Sequence, residues 1–167
     1  MSHHLASPIL KTGEIIRIVM VKPPDERWAD PIFATLSHKP EKYLTHIAAT
    51  FVNVTHNVVR YYMALSDMDN IYGIAMTAET QDGRGHVAHV FVREEHRGKG
   101  IARSLMNTLM SAFKQSGGTV LFLGTEYNSP AYRLYLDLGF GDYHGLPDGR
   151  MIWVPDYQFL TEDEALR

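Results

Sequence analysis

Between His86 and Ala102 the sequence runs HVAHVFV, then REEH, then RGKGIA, and this change of pattern constrains the fold more than any other segment. Alternating β-branched and apolar residues specify a strand, and Gly98 and Gly100 interrupt it. From Ile101 onward the apolar residues Ile101, Leu105, Leu109, Ala112 and Phe113 recur at the spacing of one helix face. A strand that turns through glycines into a helix N-terminus presents unpaired backbone N–H groups and the positive end of the helix dipole, and lets an anion approach closely. Arg93, Arg97, Lys99 and Arg103 add positive charge around the turn, with Glu94 and Glu95 between them. The implied ligand is a phosphate compound.

Two familiar phosphate motifs fail on inspection. A P-loop needs G-x-x-x-x-G-K followed by Ser or Thr, which Gly98-Lys99-Gly100-Ile101 does not supply. A dinucleotide fingerprint needs a third Gly or Ala where Arg103 stands, and an acidic residue about 20 positions further on, where this chain carries apolar residues.

The flanking segments read as a mixed α/β domain. Residues 1–13 contain His3, His4, Pro8 and Gly13 without periodicity and read as a flexible arm, leaving 14–167 as a single domain. Glu14 to Val21 is a first strand, stopped by Pro23 and Pro24. Trp28 to Leu36 suits a short helix, and Leu44, Ile47, Ala48, Phe51 and Val54 mark an amphipathic helix from Pro40 to about Thr55. Val58 to Leu65, Ile71 to Thr77 and Gly85 to Val92 form a three-strand meander, the second turn being Asp82-Gly83 with both central residues expected at positive φ. The helix from Ile101 stops at Gly117-Gly118, and Thr119 to Leu123 follows as a buried strand. Ser129 as N-cap, Pro130 at the first helical position and Gly139 beyond the end delimit another helix, with Ala131, Leu134, Tyr135 and Leu138 on one face. Phe140 to His144 and Met151 to Val154 read as a final hairpin.

The glycine turn resembles the acyl-CoA site of the GCN5-related N-acetyltransferase (GNAT) superfamily, whose R/Q-x-x-G-x-G/A stands here as Arg97, Gly100 and Ala102. A second hallmark, N-x-x-A-x-x-L-Y-x-x-L-G-F, is matched by Asn128, Ala131, Leu134, Tyr135, Leu138, Gly139 and Phe140. The specific resemblance covers about Gly85 to Phe140. It implies a GNAT-like α/β fold, with a mixed, mostly antiparallel central sheet and helices on both faces. It also implies that Arg97, Gly98, Lys99, Gly100, Ile101 and Ala102 hold the CoA pyrophosphate. The strand at Val90, Phe91 and Val92 would meet the pantetheine arm, in a slot opened by a bulge. Asn128 either contacts the cofactor or serves the loop before Ser129.

Transfer to an amine requires a proton to leave an ammonium and another to reach the departing thiolate. The resemblance places Tyr135 at the general-acid position; on spacing alone a core residue with a satisfied hydroxyl is the plainer reading. Counting back six residues from Val92 reaches His86, where relatives carry a base; a solvated histidine beside a hairpin is the plainer reading. His89 is expected on the opposite face from His86 because strand side chains alternate, so the two make no metal pair and no metal site is expected. Without Cys there is no thiol nucleophile, and direct attack in a ternary complex is expected.

The resemblance implies an N-acetyltransferase using acetyl-CoA and a small-molecule or peptide amine, the rival being a non-catalytic acyl-CoA-binding or sensing module. A net charge of −3 argues against a nucleic-acid partner, and no apolar run approaches the roughly 20 residues of a membrane span, so the expected setting is cytoplasmic. Asp25, Glu26, Asp30 and Glu41 are candidates for an acidic funnel toward a polyamine, or simply a solvated face. A homodimer is compatible with the sequence, which locates no interface.

Overall fold

A computed structural model describes residues 1–52 and 57–155. Eight strands form one sheet: β1 (Ser2–Ala6), β2 (Arg17–Val21), β3 (Val58–Leu65), β4 (Ile71–Glu79), β5 (Arg84–Val92), β6 (Val120–Gly124), β7 (Gly141–Asp142) and β8 (Arg150–Trp153). Their order is β1-β2-β3-β4-β5-β6-β8-β7, and every neighbouring pair is antiparallel except β5 with β6. The helices are α1 (Ala29–Thr35), α2 (Glu41–Val52), α3 (Ile101–Gln115) and α4 (Pro130–Asp137).

The sheet separates two apolar layers. On one face Ile101, Leu105, Met106, Leu109 and Phe113 of α3 and Tyr132 and Tyr135 of α4 pack on Tyr62, Ala75, Val87 and Leu121. On the other, Trp28, Ile32, Leu36 and Ile47, from α1, its flanks and α2, cover Tyr61, Met63, Ile74 and Met76. Each fully buried side chain of this size contributes about 1.5–3 kcal/mol of transfer free energy, so α3 is held by its stripe rather than by propensity.

The sequence expectation meets three departures. Residues 1–13 are no loose arm: Ser2–Ala6 pair with β2, and Leu10 is buried under α3's layer. The edge strand β1 is mostly exposed, so its side chains carry no alternation to read. At Asp82-Gly83 only Gly83 takes positive φ. Gly83 N–H donates to the Thr80 carbonyl and Thr80 N–H to the Arg84 carbonyl, giving a three-residue loop with a left-handed glycine rather than a two-residue turn. The last hairpin is shorter than expected, with His144 left-handed at its tip. The amphipathic helix is present as α2 through Val52, and Val54 and Thr55 of the expected span lie outside the described residues.

Candidate functional site

The site begins with a bulge. β4 and β5 pair in register from Glu79↔Gly85 to Met76↔Ala88, then resume at Ile74↔Phe91, so an extra β5 residue stands opposite Ala75. His89 occupies the bulge with φ of 54°. Pairing of β5 with β6 covers only Arg84, Gly85 and His86, so beyond His86 the two strands diverge. A cleft of about 900 Å³ opens there, walled by Val90, Phe91 and Val92 on one side and by α4 on the other.

One end of the cleft is the glycine turn. Gly98 and Gly100 have φ of 76° and 90°, and Gly100 is the left-handed N-cap of α3. No side chain caps that helix, so its first N–H groups face the cleft for an anion to satisfy. Arg97, Gly98, Gly100, Ile101 and Ala102 all line this end. The Arg97 Nε donates to the Val92 carbonyl at 3.0 Å, and the guanidinium lies 5.7 Å from the centre of the Phe91 ring. That bond occupies one of the carbonyls expected to meet a ligand arm. The Lys99 side chain turns aside, its Nζ 3.1 Å from His96 Nδ1. Arg93 leaves the basic group altogether: it donates to the Ile71 carbonyl and to Thr35 Oγ1, tying β4 to α1. Arg103 lines the cleft and also pairs with Asp137 at 3.1 Å.

The other end is set by α4. Ser129 Oγ accepts from Tyr132 N–H at 3.1 Å, and Pro130 occupies the first turn. That cap starts the helix so that Leu134 and Tyr135 face the cleft. Tyr135 is buried, and burial pushes its phenol up to about 12, so the group stays protonated at neutral pH. Tyr132, the neighbouring tyrosine, instead donates to Asp142 at 2.6 Å and braces α4 against β7. Asn128 is exposed with φ of 61°, its Oδ1 3.4 Å from Arg133, and does not line the cleft.

The two histidines of β5 do not sit as expected. Val87 and Val90 pack toward α3 while Ala88 and Phe91 pack toward the opposite layer, because the bulge shifts the alternation by one residue. His89 is thereby carried to the α2 face, where His86 also lies, with its ring 5.9 Å from His46 and 6.0 Å from Tyr43. Burial, then the charges of Lys39, His46 and His86, lower its pKa to about 4. His86 is exposed, yet desolvation by its packed surroundings holds its pKa below the ordinary histidine value. Neither histidine lines the cleft. No group of three His, Asp or Glu among the described residues is placed to hold a metal ion.

Asp25 of the suggested acidic funnel is committed to local structure, accepting from the Arg27 and Trp28 N–H groups and from the terminal ammonium. Two participants carried no local sequence signal. Lys11 and His96 both line the cleft, the first from a segment without periodicity. The resemblance implies a bulge without placing it at a residue, and strict alternation puts His89 opposite His86; the bulge observed at His89 overturns that expectation.

The profile of the Acetyltransferase (GNAT) family matches residues 25–140. The chain belongs to the GNAT acetyltransferase family. Its fold is that of known GNAT structures. It is similar to the GNAT domain of S. lividans PAT, at 14% identity and TM-score 0.65, covering 89% of this chain and 96% of that one. A GNAT acetyltransferase from Staphylococcus aureus Mu50 matches at 15% identity and TM-score 0.64, over 81% of this chain and 96% of the other. The GNAT N-acetyltransferase YhbS from Escherichia coli, solved in complex with CoA, matches at 19% identity and TM-score 0.61, over 90% of this chain and 85% of its own. A search of curated proteins gives no significant sequence match. In this GNAT protein no helix of the described residues is long and apolar enough to cross a membrane.

Proposed function

We propose that this GNAT protein transfers an acetyl group from acetyl-CoA to a primary amine by direct attack within a ternary complex. The observation that carries the reading is that one cleft joins an uncapped helix N-terminus behind two left-handed glycines to a buried, protonated phenol. The first is suited to a pyrophosphate and the second to a departing thiolate. Between them, the β5 edge beyond His86 offers backbone groups along which an amide-bearing arm can align like an added strand.

In the reaction the amine lone pair forms a bond to the thioester carbonyl carbon, and collapse of the tetrahedral species breaks the carbon–sulfur bond while the nitrogen releases its surplus proton to solvent, leaving a neutral amide. Tyr135 supplies the proton that the thiolate takes up, and is reprotonated from solvent. The ammonium first loses a proton on the α2 side, where His86 acts through water. The acceptor enters from the face bearing His86 and His89, and the donor lies on the face of α3 and α4.

The first test is calorimetric titration of acetyl-CoA into the wild type and Gly100→Glu, followed by turnover of Tyr135→Phe with a panel of primary amines. The expected result is binding that Gly100→Glu abolishes, because its carboxylate and side chain enter the anion site. Tyr135→Phe should retain binding and lose turnover by about 10²-fold or more. Wild-type protein that is folded and does not bind acetyl-CoA overturns the reading. Binding without turnover of any amine leaves the binding module in its place.

A further inference from the structure

The N-terminal turn that precedes β2 is built into the phosphate end of the cleft. Leu10 N–H donates to the Glu14 carbonyl at 2.8 Å and Gly13 N–H to the Leu10 carbonyl at 2.9 Å, closing a tight turn over Leu10–Glu14. Leu10 is 4% exposed, its side chain sunk into the α3 layer. Three contacts fasten this turn to the glycine loop. Lys11 N–H donates to the Lys99 carbonyl at 3.2 Å. The Tyr72 hydroxyl donates to Glu14 Oε1 at 2.8 Å, and the Tyr72 ring stacks on His96 with centroids 3.6 Å apart. His96 Nδ1 in turn meets Lys99 Nζ at 3.1 Å, so the contacts run from turn to strand to loop and back to the turn.

This arrangement brings the Lys11 side chain along the cleft to Gly100. Its Cε lies 3.9 Å from where a Cβ on Gly100 would sit, at the left-handed N-cap of α3. The other cations of the loop are already engaged: Arg97 with the Val92 carbonyl, Lys99 with His96 and Arg103 with Asp137. Among the described residues the Lys11 ammonium makes no hydrogen bond or ion pair, although its backbone is fixed.

We propose that Lys11, held over the glycine loop by the Leu10–Glu14 turn, is a phosphate-binding residue that contacts the pyrophosphate of the acyl-CoA substrate. The inference rests on the acetyl-CoA reading above. An ammonium beside an uncapped helix N-terminus adds a point charge to a site otherwise made of backbone N–H groups, and the turn removes much of the entropy of placing it. Lys11 is therefore a binding residue with no part in the proton transfers.

The test is titration of CoA and of 3′-dephospho-CoA into wild type, Lys11→Ala and Lys11→Arg, at low and high salt. Lys11→Ala should weaken both ligands by about five- to tenfold, since charge-assisted bonds lie toward the stronger end of hydrogen bonding while exposure attenuates them. Lys11→Arg should restore most of the affinity, and high salt should shrink the difference. The alanine variant keeps the backbone bond to Lys99, so its unfolding midpoint should match the wild type. A deficit that disappears with 3′-dephospho-CoA overturns the pyrophosphate assignment in favour of the 3′-phosphate. Equal affinity of wild type and Lys11→Ala overturns the role of Lys11 while leaving the acetyl-CoA reading intact. Failure of the wild type itself to bind CoA removes that reading and this inference with it.

Discussion

His89 carries two costs at once: a left-handed backbone with φ of 54°, and a ring desolvated between β5 and α2. Strain of this kind at a residue other than glycine is on the order of 1–3 kcal/mol and persists only where the surroundings fix it. Here the bulge is what opens the cleft, so the strain is coupled to the site. Burial also makes the imidazole a pH-dependent element. Its pKa falls from 6.5 when unfolded to about 4 when folded, so between those values the unfolded chain binds the extra proton. Stability from this group is therefore fully present above about pH 6.5 and is lost as the pH falls toward 4. His89→Asn keeps a side chain that tolerates left-handed backbone and removes the titration. In urea unfolding at pH 7 and pH 4.5, the wild type should lose about 2 kcal/mol more than His89→Asn. Equal losses mean that His89 is not held neutral. The exposed His86, shifted in the same direction, is present in both proteins and leaves the comparison unchanged.

Among the elements, α4 shows what sequence signals secure. Ser129, Pro130 and Gly139 delimit it chemically, and the observed Pro130–Asp137 follows those marks. The glycine turn and α3 were equally legible, because a period of 3.6 after two glycines admits few other structures. Three features were not. β1 joins the sheet through its backbone at an exposed edge, so no side-chain pattern records it. The resemblance implies a bulge in this strand, but its position at His89 is not written in HVAHVFV; the register shift and the packing of Ala88 and Val90 on opposite layers place it. Tyr132 lies outside the expected face of Ala131, Leu134, Tyr135 and Leu138, yet it is buried in the α3 layer while its hydroxyl finds Asp142 at the margin. For α4 the cap is also a testable part of the site. Ser129→Ala removes the acceptor for Tyr132 N–H and should cost about 1 kcal/mol, lowering the thermal midpoint by roughly 2–4 °C. Ser129→Asp should restore it, since a carboxylate caps and complements the dipole. A Ser129→Ala midpoint equal to that of the wild type removes the cap from the account of α4.

At the scale of the whole molecule, the sheet is two parts joined at one end. β1 to β5 form an antiparallel array, and β6, β8 and β7 form a second, the two being connected by the short parallel pairing of β5 and β6. What holds them together beneath the open end is the α3 layer, where Tyr62, Ala75 and Val87 of the first part and Leu121, Leu123 and Met151 of the second join one continuous apolar cluster with that helix. A cleft between two strands can thus stay open without unpairing the rest of the sheet. Leu10 belongs to that layer although it precedes β2 by several residues, which makes the N-terminal turn part of the core as well as a wall of the cleft. Leu10→Ala should therefore act on both. Removing its buried side chain should destabilise the protein by about 2–4 kcal/mol, measured by urea unfolding at neutral pH. Because the same turn carries Lys11, affinity for CoA should fall at least as far as in Lys11→Ala, and the two losses should not add in the double variant. A Leu10→Ala protein with normal stability means that the turn is only laid on the surface. One that loses stability yet binds CoA normally separates the core from the cleft.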